Sequence, residues 1–127
     1  MKIAKANIEI KRQNGKLKFA KIVMPVWGKP QDDGFIGVDI PFFGLKTTVK
    51  SEEDIHTAVE EAVTLFCMNA EKFGKGLEAE LKSLGWEINN QSSTISDMAF
   101  NVSERNPVIE RVLNTGDQFA NTFAIAC

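Results

Sequence analysis

Polar and apolar positions alternate from the start of the chain. Ala4, Ala6, Ile8 and Ile10 share one parity, and Lys5, Asn7, Glu9 and Lys11 the other. That pattern predicts a strand over 2–12 with one buried face. Asn14-Gly15 follows, a two-residue hairpin signal. The next strand, about 16–27, begins with Leu17 and Phe19 apolar and then changes phase to Ile22, Met24 and Val26. A one-residue shift of this kind predicts a bulge. Pro25 places the end of that strand at an edge or outside the ladder. Residues 28–34 read as a loop. A third strand, 34–41, buries Ile36, Val38 and Ile40; Pro41 ends it and Gly44 marks a bend. A fourth, 45–50, carries Leu45, Thr47 and Val49. Short connections between these strands predict an antiparallel meander.

The period changes at Ser51. Ile55, Ala58, Val59, Ala62, Val63, Phe66, Ala70 and Phe73 recur at helical spacing. Ser51 reads as the N-cap, with Asp54 in a variant capping box and three carboxylates at the positive end of the helix dipole. The long helix spans 51–73. Gly74-Lys75-Gly76 interrupts it, and a short helix over 77–84 follows, with Leu77, Leu81 and Leu84 on one face and Gly85 as its C-cap. Residues 89–127 are less regular. Trp86 and Ile88 suggest a short strand, 89–96 a polar loop, and Met98, Phe100 and Val102 a brief strand. Asn106-Pro107 opens a short helix to about 114. Phe119, Phe123 and Ile125 suggest a last strand. The expected class is α+β: a meander of three or four strands with one long and one or two short helices on one face.

A length of 127 residues fits one domain. The net charge of −2 and pI near 5.4 exclude a generic nucleic-acid coat. The balance is uneven, however: residues 1–50 carry +6 and residues 51–127 carry −8. No apolar stretch is long enough for a bilayer, and no signal-peptide pattern opens the chain, so the expected location is the cytoplasm. Two cysteines, Cys67 and Cys127, are too few for a disulfide framework or a zinc cluster, and are expected as reduced thiols.

The junction between sheet and helix carries a resemblance. The segment Gly34-Phe35-Ile36-Gly37-Val38-Asp39-Ile40-Pro41-Phe42-Phe43-Gly44-Leu45-Lys46-Thr47 precedes Ser51-Glu52-Glu53-Asp54-Ile55 and Ala58. It resembles the HicB-like antitoxin family, in which a Gly-aromatic strand, a Pro-Asp-Leu-Pro-Gly turn and a Thr precede a Glu/Ala-rich helix. Pro41, Gly44, Thr47 and Ala58 fall in comparable places, and the resemblance covers about residues 16–73. The turn here is one residue shorter, and Phe42 stands where the family has Asp. Residues 89–127 lack the strand and two sizeable helices of the family's DNA-binding module. The resemblance implies a degenerate RNase H-like sheet with a helix on it, and a non-enzymatic domain that binds a small basic RNA-cleaving toxin.

The residues themselves offer little catalysis. His56 is the lone histidine, has no partner at metal spacing, and reads as a solvated helix residue. Glu9, Asp39 and Glu60 are the candidates for a metal-dependent nuclease, but the strand carboxylates lie on the parity opposite the apolar face. Gly74-Lys75-Gly76 lacks the spacing of a phosphate loop. No catalytic residue, cofactor or metal is expected. The remaining candidates are contact residues. Lys5, Lys11, Lys16 and Lys18 form a basic stripe that either meets RNA or an acidic partner, or is an ordinary solvated face. Trp27, Phe42 and Phe43, with Phe35, cluster near the bend and read either as core or as an oligomer contact. A homo-oligomer is expected, because small open sheets often cover an edge with a second subunit. A stand-alone oligomer without a toxin, structural or phage-derived, is the alternative role.

Overall fold

The N-terminal alternation becomes a hairpin of β1 (Lys5–Gln13) and β2 (Lys16–Pro30), turned at Asn14 and Gly15, both with positive φ. In this computed structural model residues 5–101 and 117–126 are described, the last stretch and Asn101 by their backbone. β3 (Ile36–Ile40), a 3-10 turn (Pro41–Phe43) and β4 (Leu45–Val49) follow. Then come a 3-10 turn (Glu52–Asp54), α1 (Ile55–Lys72) and α2 (Leu77–Leu84). The chain continues with β5 (Glu87–Gln91), β6 (Ile95–Asn101) and β7 (Asp117–Ala126). The fold is α+β, and every strand pairing is antiparallel.

The sheet has seven strands, not the expected three or four. Three come from the second half of the chain, where the sequence suggests short strands at Trp86 and Ile88, at Met98 and Phe100 and at Phe119 to Ile125, and the one sheet takes in all three. β6 pairs with β1, β5 with β6, and β7 with β2. The segment 89–96, expected as a loop, is mostly strand. Only Ser92–Thr94 form the turn, in which the Ser92 hydroxyl accepts the Ile95 N–H at 3.1 Å. The polar run Asn89-Asn90-Gln91 is exposed because β5 is an edge strand, so its composition imitates a loop. The helix expected from Asn106 to 114 and the strand ends at 2–4 and Val102 lie outside the described residues.

A bulge is present, but at Lys18, earlier than the change of phase after Ala20-Lys21 suggests. Lys11 faces Phe19 and Arg12 faces Leu17, so Lys18 is the extra residue. Its effect is to bring Leu17 onto the same buried face as Ala20 and Ile22. β2 does not end at 27; it runs on to Pro30. β7 pairs with residues 19–28, β1 with 16–23 and β3 with 27–30. A strand has two edges, and β7 overlaps both of the others. β1 and β3 therefore share the edge opposite β7, with Met24–Val26 between them. Pro25 falls in this interval, so its missing N–H removes no bond to β1 or β3.

Every residue from Met24 to Gly28 is buried, and the aromatic cluster belongs to this core. Trp27 is 1% exposed, and Phe42 and Phe43 are equally enclosed. Phe42 meets Phe100 edge-on at 5.1 Å between centroids, and Phe43 meets Phe66 at 5.2 Å. The Trp86 indole N–H donates to the Phe42 carbonyl at 2.8 Å. Pro41 starts the 3-10 turn that drives both phenylalanines inward, and Gly44, at φ +66°, reverses the chain after it.

α1 packs Ile55, Val59, Val63 and Ala70 into the core, as its spacing predicts, and Cys67 beside them. Its ends differ from expectation. Ser51 opens a 3-10 turn, and its hydroxyl bonds the Asp54 carboxylate at 3.2 Å rather than a backbone N–H. Phe73 is the C-cap and is 78% exposed, because the helix ends at Lys72 and the chain leaves the stripe there.

Candidate interaction surface

The four candidate lysines are exposed but do not form one patch. Lys5 lies on β1 opposite Asn101, while Lys16 pairs with Gln13 at the other end of that strand. At about 3.4 Å per residue the separation between Lys5 and Gln13 is about 27 Å. Residues directly opposite on neighbouring strands share a face. Glu9 therefore sits between Lys21 and Asp97, and it also accepts an ion pair from Lys11 at 3.5 Å. Acids divide the basic stripe. Phe19, half-buried, lies opposite Lys11, which puts an aromatic beside the turn-end lysines. Trp27, Phe42 and Phe43 are core, and of the expected aromatic contact residues Phe35 alone, at 37% exposure, stays at the exterior.

One basic residue of the hairpin turns inward. Arg12 shares the parity of Ile8 and Ile10, and the bulge pairs it with buried Leu17. Its guanidinium reaches Glu71 near the end of α1 and Glu78 at the start of α2. Nη1 and Nη2 donate to the Glu71 carboxylate at 2.5 and 2.9 Å. Nε donates to Glu78 at 3.0 Å, and Nη2 donates to its other oxygen. Glu71 also accepts the Leu77 N–H at 2.7 Å, which caps α2, and the Ser96 hydroxyl donates to Glu78 at 3.3 Å. Arg12 holds both carboxyls below the ordinary carboxylate range through these hydrogen bonds, and they raise its guanidinium, Glu71 foremost. The node fastens the hairpin, the turn between the helices and β6 to one another.

Glu9, Asp39 and Glu60 do not converge. Each is engaged separately, with Lys11, with Lys46 at 3.7 Å and with His56 at 3.3 Å. Among the described residues no three metal-binding side chains gather, and no helix is long and apolar enough to cross a membrane.

The prominent exposed feature is a helix face that the apolar stripe did not reveal. Leu65 is 59% and Met68 51% exposed. Beside them, Leu45, Ala62, Phe66 and Phe73 line an open groove of about 530 Å³. Leu65 and Met68 sit on α1 opposite Val59, Val63 and Ala70, at 100° per residue. The signal was available: two large apolar residues three apart, both off the core stripe. Compared with known proteins, the chain matches no family model, no curated protein and no solved structure.

Proposed function

We propose that this chain is a non-enzymatic interaction domain that acts through the exposed side of α1. The observation that carries this reading is the exposure of Leu65, Met68 and Phe73 on a helix whose other side is fully packed. Grouped exposed apolar residues of this size mark contact surfaces more often than scattered ones do. The carboxylates that a hydrolytic mechanism would need are engaged apart from one another, Glu9 with Lys11, Asp39 with Lys46 and Glu60 with His56, which supports the same reading.

The resemblance of residues 16–73 to HicB-like antitoxins adds a partner class, a small basic RNA-cleaving protein that this domain would mask. It also adds a degenerate RNase H-like arrangement of sheet and helix. The succession of antiparallel strands and α1 supports the arrangement. Exposed Glu52, Glu53 and Asp54 at the start of the helix suit a basic partner, which Lys5, Lys11, Lys16 and Lys18 would repel.

Co-expression with a small basic reading frame adjoining this gene tests the reading. The expected result is a salt-sensitive complex that weakens when Glu52, Glu53 and Asp54 are changed together to Gln, Gln and Asn. Failure of any small basic protein to co-purify, or a complex indifferent to those changes, overturns it.

A further inference from the structure

Glu61, Leu65, Met68 and Lys72 are spaced four, three and four residues apart. On a helix they fall within about 60° of one another, in the a/d spacing of a coiled-coil seam. All four are exposed, on the side of α1 that faces away from the core. The two apolar residues are central, with an acid at one end and a base at the other. Glu61 and Lys72 form no ion pair among the described residues, and the Lys72 ammonium rests 5.5 Å from the Phe73 ring centroid. Of the flanking positions, Thr57, Ala58, Ala62, Thr64 and Asn69 are short side chains and Glu71 is turned to Arg12, so a second helix can approach along the centre of the row.

This row is self-complementary in one orientation. Turned by a two-fold axis between Leu65 and Met68, an antiparallel copy places its Met68 on Leu65 and its Lys72 on Glu61. Each of these contacts then occurs twice, as in any isologous interface. A parallel copy would stack Glu61 on Glu61 and Lys72 on Lys72, which like-charge repulsion disfavours. We infer that the occupant of this face is a second copy of the chain, bound through antiparallel α1 helices. The inference rests on the reading of α1 as a contact side; it gives the Leu65–Met68 row to a second copy and leaves the acidic turn Glu52–Asp54, before the helix, for a basic partner. α1 has 18 residues, about 27 Å of helix. A pair of this length falls at the small end of specific interfaces, so a weak dimer is expected.

Sedimentation equilibrium over a concentration series tests the inference. The wild type is expected to dimerise, and Leu65→Glu to weaken association roughly 100-fold, because the change acts twice at a desolvated position. Unchanged far-UV circular dichroism checks that this exposed variant folds. Glu61→Lys alone and Lys72→Glu alone are each expected to weaken the dimer about 3- to 10-fold, and the double swap to restore it. Rescue by the double swap is specific to antiparallel pairing of these two residues. A wild type that stays monomeric up to millimolar concentration overturns the inference, as does a dimer indifferent to Leu65→Glu or a double swap without rescue. None of these outcomes bears on capture of a basic partner by Glu52, Glu53 and Asp54, which the co-expression experiment decides separately.

Discussion

Two charged groups on α1 use similar residues to different ends. Near its C-terminus Glu71 meets Arg12, with Glu78 from α2 completing the node, and all three side chains are largely enclosed, Arg12 at 16% exposure. On the outward side Glu61 and Lys72 are separated by Leu65 and Met68 and make no ion pair among the described residues. The difference is which face of the helix each residue occupies. Enclosed, the charges are bound to one another, and removing Arg12 leaves two partly buried carboxylates with only the Leu77 N–H and the Ser96 hydroxyl as neutral donors. Exposed, they cost nothing in the single chain and remain free to choose a partner. The first group stabilises the fold, and the second is available for contact.

The largest test of this contrast lies in the aromatic core. Phe42→Ala removes a fully buried ring and is expected to cost about 3–5 kcal/mol, read as a loss of unfolding free energy in urea. A cost under about 1 kcal/mol would return Phe42 to the surface. Next is Arg12→Met, which leaves two partly buried carboxylates facing each other. A loss of about 2–3 kcal/mol is expected, discounted for the part of the node that solvent reaches.

The same node sets an acid limit. Glu71 and Glu78 have folded pKa values below their ordinary 4.5, so the unfolded state binds protons first as pH falls. Their stabilisation is complete above about pH 4.5 and is lost as pH drops through the depressed folded values. Urea midpoints measured from pH 6 to pH 2 should fall less steeply for Arg12→Met than for the wild type. Equal slopes would detach the node from acid stability.

Smaller effects belong to the outward side. Leu65→Glu is expected to change the unfolding free energy of the single chain by less than about 0.5 kcal/mol, although it disrupts association. A thermal melt at a concentration below dimerisation reads this directly. Least of all, neutralising Lys5, Lys16 and Lys18 to Gln should leave stability within about 0.5 kcal/mol, since none of them is buried. If RNA binds the turn end, the same triple variant lowers affinity and flattens its salt dependence; unchanged binding would remove the lysines from the contact.

Much of the fold was legible wherever the pattern reports on one element at a time. The β1–β2 hairpin, a bulge in β2, α1 and the turn at Pro41 all follow from local period, Gly, Pro and Asn. The second half of the sheet was less so. Asn89-Asn90-Gln91 is polar because β5 is an exposed edge, and only pairing with β6 makes it a strand. Pro25 is expected at an edge or outside the ladder, yet it pairs with β7, because its place between β1 and β3 is a property of several strands together. Of the contact residues, the lysines were legible as exposed. The burial of Trp27, Phe42 and Phe43 depended on the 3-10 turn folding back onto Trp86 and Phe100.

What the sequence by itself determined is the alternation that makes the strands, the helical stripe of α1 and the separation of basic and acidic halves. These are short-range properties, set by the side-chain periods of strand and helix. What only the tertiary structure decided is which charges meet and which apolar residues remain outside. Arg12 became a structural tie because the bulge and the α1–α2 turn bring Glu71 and Glu78, 59 and 66 residues away, to one guanidinium. Leu65 and Met68 became a contact surface because the core needs only one side of α1, and no other described element covers the opposite side. Contacts between residues so distant in the chain follow from packing, to which local periodicity is blind.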